Sequence, residues 1–204
     1  MHGATDGASF GGTEHMRKPL RTIADIGVGH SFRSGIEDDP LGDIRVLQIR
    51  DIKGPANIQQ DALLRMAWPE GSKPPLLKRG DVVLPSRGGR YDAVLVQGNQ
   101  PMLASGQLYV LHARQRGLLP EYLCWYLNQP ASQSYILKNR AGTGIPSLSR
   151  QVLGDLRVPV PPLETQRKII ALQQLWQQEQ SLTRKLLANR QKMLHSFFGK
   201  LLES

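Results

Sequence analysis

The stretch that decides the fold is Arg157-Val158-Pro159-Val160-Pro161-Pro162-Leu163-Glu164-Thr165-Gln166-Arg167-Lys168-Ile169-Ile170. Upstream of it, Gly, Pro and β-branched residues punctuate short segments. Downstream, residues 163–204 contain no Pro and one Gly, Gly199. Leu, Gln, Lys and Arg dominate there, all good helix formers. Ile169, Leu172, Leu175, Trp176, Leu182, Leu186, Leu187, Met193, Leu194, Phe197, Phe198 and Leu201 recur mostly at steps of three, four or seven, which predicts one long helix. About 40 residues at 1.5 Å each make a rod of roughly 60 Å. A core of this size cannot cover the whole stripe. The helix either folds back on its own domain or stands out as a coiled-coil arm awaiting a second helix, and the second reading is favoured. Its partner-facing positions would be Ile169, Leu172, Leu175, Trp176, Leu182, Leu186, Met193 and Phe197. The polar run Gln177-Gln178-Glu179-Gln180-Ser181 interrupts the stripe, and polar residues in such a seam weaken packing while fixing register.

Residues 17–160 read as mixed α and β. Strand character appears at 44–49, 81–84, 93–96 and 107–111, bounded by Gly and Pro. Helices are expected from Leu119-Pro120-Glu121 to about Asn128, with Pro at the first turn, then over 131–138 and 149–153. The fold class is therefore α+β: a mixed α/β domain over 17–160, then a helical spacer and dimerisation arm over 161–204. Residues 1–16 lack periodicity and read as a disordered leader.

The 204 residues carry 26 Lys plus Arg against 17 Asp plus Glu, a net charge of +9. That points first to nucleic acid as a partner. The single cysteine, Cys124, excludes a disulfide scaffold and a Cys-rich zinc module within one chain. No apolar run approaches the ~20 residues that span a bilayer. A cytoplasmic protein with no membrane partner is expected.

Most catalytic chemistry finds no motif. There is no GxxxxGK[ST] loop, HExxH or CxxC. Gly27-Val28-Gly29 and Gly142-Thr143-Gly144 read as loops. Pro161-Pro162 lacks both ends of an amino-methyltransferase tetrad. Asp43 with Asp51-Ile52-Lys53 resembles a nuclease carboxylate pair with its lysine, a pattern that arises readily by chance. Tyr122, Trp125 and Tyr126, at helical spacing, read as core before base-stacking platform.

The segment from Arg157 to Ile170 closely resembles the signature of the DNA-specificity subunit of type I restriction–modification systems, in which a "P-P-L-x-x-Q-x-x-I" element opens a long helix. Gly142, Ile145-Pro146, Leu148-Ser149 and Leu153 to Leu156 resemble its lead-in. Leu76 to Leu84 resembles its "L-x-x-G-D" strand, and Asp25-Ile26-Gly27 with Arg45 to Ile52 its N-terminal pattern. The likeness runs in the family's order over about residues 20–175. It puts Asp51-Ile52 on a structural position, not a catalytic one.

The resemblance implies a target recognition domain that reads bases, a helical spacer, and no catalysis in this chain. S-adenosylmethionine is expected on the partner modification (methyltransferase) subunits, with no cofactor or metal here; a restriction subunit can join. The family's typical subunit has two recognition domains and two spacers, whereas one of each is legible here. That implies a half-length form pairing as a homodimer, or as a heterodimer with another half-subunit. A symmetric pair would read an interrupted palindrome in double-stranded DNA. Base readout needs Arg forks on guanine and amides on adenine. The candidates are Ser86, Arg87, Arg90 and Tyr91, around Gly88-Gly89; Ser31 and Arg33; and Lys138, Arg140 and Thr143. Arg50 and Lys53 are weaker phosphate-contact candidates. The arm adds charge, with seven basic residues against three acidic. The competing expectations are a coiled-coil adaptor or regulatory decoy that binds the methyltransferase without reading DNA, and the metal-dependent nuclease.

Overall fold

A computed structural model describes residues 16–202 apart from Ser34, Ala56, Asn57, Glu70, Gln115 and Arg116. The expected leader, save Met16, lies outside the described residues. The elements follow in the order β1 (Arg17–Pro19), α1 (Leu20–Ile23), β2 (Ala24–Val28), β3 (Ile44–Leu47), β4 (Leu64–Met66), β5 (Val82–Pro85), β6 (Val94–Leu95), β7 (Met102–Ala104), β8 (Leu108–Ala113), α2 (Pro120–Leu127), α3 (Pro130–Asn139), α4 (Arg150–Asp155), β9 (Arg157–Pro159) and α5 (Leu163–Leu202). The fold is a mixed α/β head followed by one long helix.

The head is built on a four-stranded antiparallel sheet in the order β2-β8-β5-β6. A three-stranded sheet, β4-β3-β7, stacks on one side; its β3 and β7 run parallel. Helices α1 to α4 cover the other side. The central sheet is therefore buried on both faces, and the side-chain period of two shows it. Val82 and Leu84 of β5 enter the core beneath the helices, while Val83 enters the core between the sheets. An uninterrupted apolar strand is what two covered faces require. Each of these fully buried side chains contributes about 1.5–3 kcal/mol.

Local chemistry sets the helix ends. Pro120 and Pro130 occupy the first turns of α2 and α3, where a missing N–H costs nothing. Ser149 caps α4, its hydroxyl accepting from Val152 N at 3.1 Å. The Asn128 side chain ends α2 by bridging to the sheet: its Oδ1 accepts from Ala93 N at 2.9 Å, and its Nδ2 donates to Ala93 O at 2.8 Å. Strand β9 pairs antiparallel with β1, bringing the chain's first described strand against the segment that feeds α5.

Helix α5 leaves the head at a shallow attachment. Gln166 is fully buried, and Ile169 and Ile170 pack against the core beneath α2. Ile169 is thus a correction to the partner-facing set: at the base of the helix it meets its own head. From Leu172 onward the apolar stripe is exposed, with Leu172 at 70 % and Phe197 at 59 %. The helix does not fold back. Among the described residues, no helix is long and apolar enough to cross a membrane.

Candidate nucleic-acid interface

Three loops singled out by sequence converge on one rim, and a fourth ties them together. The first is the β5–β6 connection, which carries Ser86, Arg87 and Arg90. Ser86 donates to Gln107 O twice, from its backbone N at 2.9 Å and its hydroxyl at 2.8 Å. Gly88, at φ +104°, donates to Pro146 O at 2.8 Å. Only a residue without a Cβ takes that turn at no steric cost. Arg87 bridges to Ser147, and Ser147 exchanges two backbone hydrogen bonds with Ala141. The 86–90 loop and the 140–147 loop therefore form one unit.

The second junction lies at the Ser105-Gly106-Gln107 turn between β7 and β8. Its neighbour Ala104 accepts from His30 N at 2.7 Å, and Ser105 pairs with His30 in an isolated parallel bridge. A Cβ on Gly106 would stand 2.6 Å from the Ser31 hydroxyl. The contact sequence thus runs from Ser31 through Gly106 and Gln107 to Ser86 and Arg87, and on through Ser147 to Ala141 and Arg140.

Of the expected contact residues, Ser31, Ser86, Arg87 and Arg140 join in these contacts, Arg33, Arg90 and Thr143 stand in the same loops, and Lys138 lies on α3. Ser31, Arg33, Arg90, Lys138 and Thr143 are exposed, and Ser86, Arg87 and Arg140 are half-buried. Arg90 is held by Asp92 at 2.8 Å. A shallow hollow beside the turn is lined by Ser31, Phe32, Gln48, Arg50, Ser105 and Gln107, among others. Gln107 and Gln48 were not legible as rim residues; Gln107 sits in the turn, one residue ahead of the strand expected to include it.

Tyr91 is a correction. It is 1 % exposed and belongs to the main core. Its hydroxyl donates to Pro146 O at 3.2 Å, so it holds the 140–147 loop in place instead of presenting a ring to a ligand. Burial pushes its phenol above the usual range, partly offset by the nearby Arg140 charge. Tyr109 does the same two residues further on, its hydroxyl donating to Leu148 O at 2.7 Å. Gly27-Val28-Gly29 is also corrected: Gly27 and Val28 end β2, and Gly29 packs on the Ala104–Ser105 backbone.

The other chemistry-bearing groups resolve into structure. Asp51 accepts from Gln48 N at 2.8 Å and closes a capping box on a short 3₁₀ turn. That carboxylate is already in use, and among the described residues no three His, Cys, Asp or Glu side chains gather as metal ligands. Tyr122, Trp125 and Tyr126 pack together, with ring centroids 5.5 and 6.4 Å from Tyr122. The Tyr122 and Tyr126 hydroxyls donate to Pro159 O and Arg157 O. Burial pushes the Tyr122 phenol and the Cys124 thiol up to about 12, which leaves Cys124 unreactive at neutral pH.

Comparison with known proteins bears on this head and arm together. Residues 70–189 match the model of the type I restriction modification DNA specificity domain. No curated protein sequence matches the chain. A solved chain from work on complex assembly and conformational transition of the type I R-M system superposes with a TM-score of 0.61 at 21 % identity, covering 83 % of this chain and 39 % of that one. The HsdS subunit from Thermoanaerobacter tengcongensis gives 0.55 at 24 %, covering 83 % and 38 %. The type I S subunit from M. genitalium gives 0.54 at 11 %, covering 81 % and 40 %. These likenesses show the shared fold, and the chain spans about two fifths of the length of the solved chains it resembles. The family match extends over more than half of the chain, from the connection between β4 and β5 into α5, and on it the chain belongs to the type I restriction modification DNA specificity domain family.

Proposed function

We propose that this chain is a sequence-reading component of a type I restriction–modification complex, with the head reading one DNA half-site and α5 joining it to a second such unit. The observation that carries the reading is the continuous rim from Ser31 to Arg140. Loops from distant parts of the sequence are tied there into one edge bearing Arg33, Arg87, Arg90 and Arg140. Backbone bonding fixes the loops, which leaves Arg87 and the Gln107 amide to meet base edges, while flanking Lys and Arg hold phosphates without reading sequence.

In this reading the chain does no chemistry of its own. Methyl transfer belongs to partner modification subunits, which carry S-adenosylmethionine, and a restriction subunit joins the same complex. A pair of identical heads would specify an interrupted palindrome; a pair with a different half-subunit would specify an asymmetric bipartite site. The exposed α5 stripe also suits an adaptor or decoy that holds the methyltransferase without reading DNA.

The test is to express the chain with its modification subunits and map methylated sites in the host DNA. A bipartite motif whose sequence changes when Arg87 is replaced supports base reading. A complex that forms normally while its methylation pattern ignores every rim substitution supports the adaptor.

A further inference from the structure

Strand β2 forms one edge of the four-stranded sheet, with β8 on its inner side and no strand on its outer side. Gly29 N donates to Leu108 O, and Arg114 N to Ile23 O, both at 2.9 Å. These two bonds set the phase of the β2–β8 ladder, because inward and outward backbone groups alternate along an antiparallel strand. Asp25 and Gly27 therefore bond to β8, while Ala24, Ile26 and Val28 turn their backbone groups outward. Ala24 N is taken by Leu20 O at the end of α1, and His30 N by Ala104 O. Between those ends, among the described residues, the outward N–H and C=O groups of Ile26 and Val28 have no backbone partner.

Other sheet edges are closed. On β4, Arg65 N donates to Asp38 Oδ1 and Arg65 O accepts from Asp39 N, both at 3.0 Å. On β7, Met102 O accepts from Leu77 N at 2.7 Å. Just before β6, the Asn128 side chain takes both backbone groups of Ala93. Beside β2 there is space and charge instead. A hollow of about 670 Å³ runs along residues 24–27, walled by Arg21, Arg114 and Arg150. Arg21 is paired with Asp155 and Arg114 with Asp25. Arg150 is exposed, and among the described residues no carboxylate pairs with it. Val28 adds an apolar side chain that is 53 % exposed.

The chemistry of this edge selects its occupant. Donors and acceptors alternate along it, with like groups about 7 Å apart. A nucleic-acid backbone carries acceptors on its phosphates and would bring negative charge against the Ile26 and Val28 carbonyls. A peptide backbone supplies both donors and acceptors. A second copy of β2 would do so too, but its one acid, Asp25, is already bonded by Arg114, and Arg150 would stay unpaired. We propose that the open edge of β2 takes an extended acidic segment of a partner protein as a fifth strand, main chain to main chain on Ile26 and Val28, with a carboxylate on Arg150. Strand addition of this kind draws affinity from the ladder and specificity from alternate side chains. The edge lies outside the rim's loops, so this partner is additional to the DNA proposed above.

The probe is the end-blocked peptide Val-Glu-Val-Glu-Val, compared with Val-Lys-Val-Lys-Val, each titrated into the full chain. Amide hydrogen exchange followed by NMR reads the new strand, and fluorescence anisotropy of labelled peptide reads the affinity. At saturation with the Glu peptide, the Ile26 and Val28 amides exchange about tenfold more slowly, while those of Asp25 and Gly27, already bonded to β8, change little. The Lys peptide binds about tenfold more weakly, and R150E reverses that order. V28P, a substitution an edge strand tolerates, removes one edge donor and weakens the Glu peptide. R150E changes only an exposed side chain and decides the matter if V28P does not fold. Equal affinities for the two peptides, or unchanged exchange at Ile26 and Val28 under saturation, overturn the proposal. Protection of those amides by a DNA duplex alone also overturns it, assigning the edge to phosphate. Protection that grows with chain concentration in the absence of peptide overturns it in favour of a second copy.

Discussion

Gln166, fully buried in α5, accepts a hydrogen bond from Leu119 N at 2.9 Å and so joins the arm to the head. Its amide nitrogen donates to Gly117 O and Pro161 O, both at 2.7 Å. One side chain thus satisfies the approach to α2 and the prolines that open α5. This is the physical content of the Gln in the Pro-Pro-Leu-x-x-Gln element: an amide has both a donor and an acceptor to place, and a carboxylate has only acceptors. Gln166→Ala should cost about 2–4 kcal/mol by orphaning buried backbone groups. Gln166→Glu should cost more, because it turns a negative charge on two carbonyls. Urea denaturation of the full chain checks both: the midpoint should fall with little change in slope, with the Glu variant recovering as pH is lowered towards the carboxyl's protonation.

Gly29 fixes the first loop of the rim to the second. A Cβ there would lie 2.2 Å from Ser105 O and 2.5 Å from Ala104 O, and backbone atoms cannot swing aside as a side-chain end can. Gly29→Ala should therefore cost about 2–3 kcal/mol, as overpacking does, and should displace Ser31 from the turn that carries Gln107. Gly35→Ala is the matched control, since nothing lies within 4 Å of its added Cβ; it should change stability by less than ~0.5 kcal/mol. Thermal unfolding of the two variants checks the contrast. Equal melting temperatures would remove Gly29 from the rim's architecture.

The long helix was legible because periodicity and Pro punctuation are local: Pro161-Pro162 announces a start at Leu163, and that is where α5 begins. The strands near Val82, Val94 and Leu108 were legible for the same reason, as were the Pro-initiated helices. The parallel pairing of β3 with β7 and the closure of β1 on β9 were not. Each joins segments far apart in sequence, and nothing in three or four residues names a distant partner. The rim shows the same division. Gly88-Gly89 flanked by Arg marked a loop, but its union with Ser147 and Gln107 depends on tertiary contacts. Tyr91 was misplaced because its neighbours are exposed loop residues, while its ring points inward to a core that the sequence does not locate.

Acid should act on the contact between β2 and the end of β8. Arg114 follows β8, and its guanidinium donates to Asp25 of β2, from Nε at 2.7 Å. This hydrogen bond, with the Arg114 charge, holds the Asp25 carboxyl below the ordinary 3.8. A carboxyl whose folded value is depressed stabilises the fold above its unfolded value, and that contribution is lost as pH falls through the folded value. Both side chains are about half exposed, so the effect is modest and screened by salt. Asp25→Asn should be less stable than the parent at neutral pH, and the two melting curves should converge below pH 3.8. A gap that persists at lower pH would assign the loss to packing.

Arg87 and Arg140 sit on the same loop unit but are expected to fail differently. Arg87 is held at its backbone by the Ser147 bridge, and its guanidinium has no ion-pair partner among the described residues, so its fork is the one assigned to a base. Arg140 reaches towards Gly88 O, at a long 3.5 Å, so its guanidinium is partly engaged and is assigned to a phosphate. Replacing a base-reading Arg costs about 1–3 kcal/mol and relaxes the choice of one base. Replacing a phosphate contact weakens all sequences alike and lowers the salt slope by about one unit. Fluorescence anisotropy on the chain assembled with its modification subunits, at a series of salt concentrations and on cognate and single-mismatch duplexes, separates the two. Arg87→Ala should lose discrimination at one position, and Arg140→Ala should lose slope with discrimination kept. Lys73→Ala, exposed and outside the rim's loops, should change neither. If Lys73→Ala matches Arg87→Ala, binding follows net charge and the rim has no privileged role.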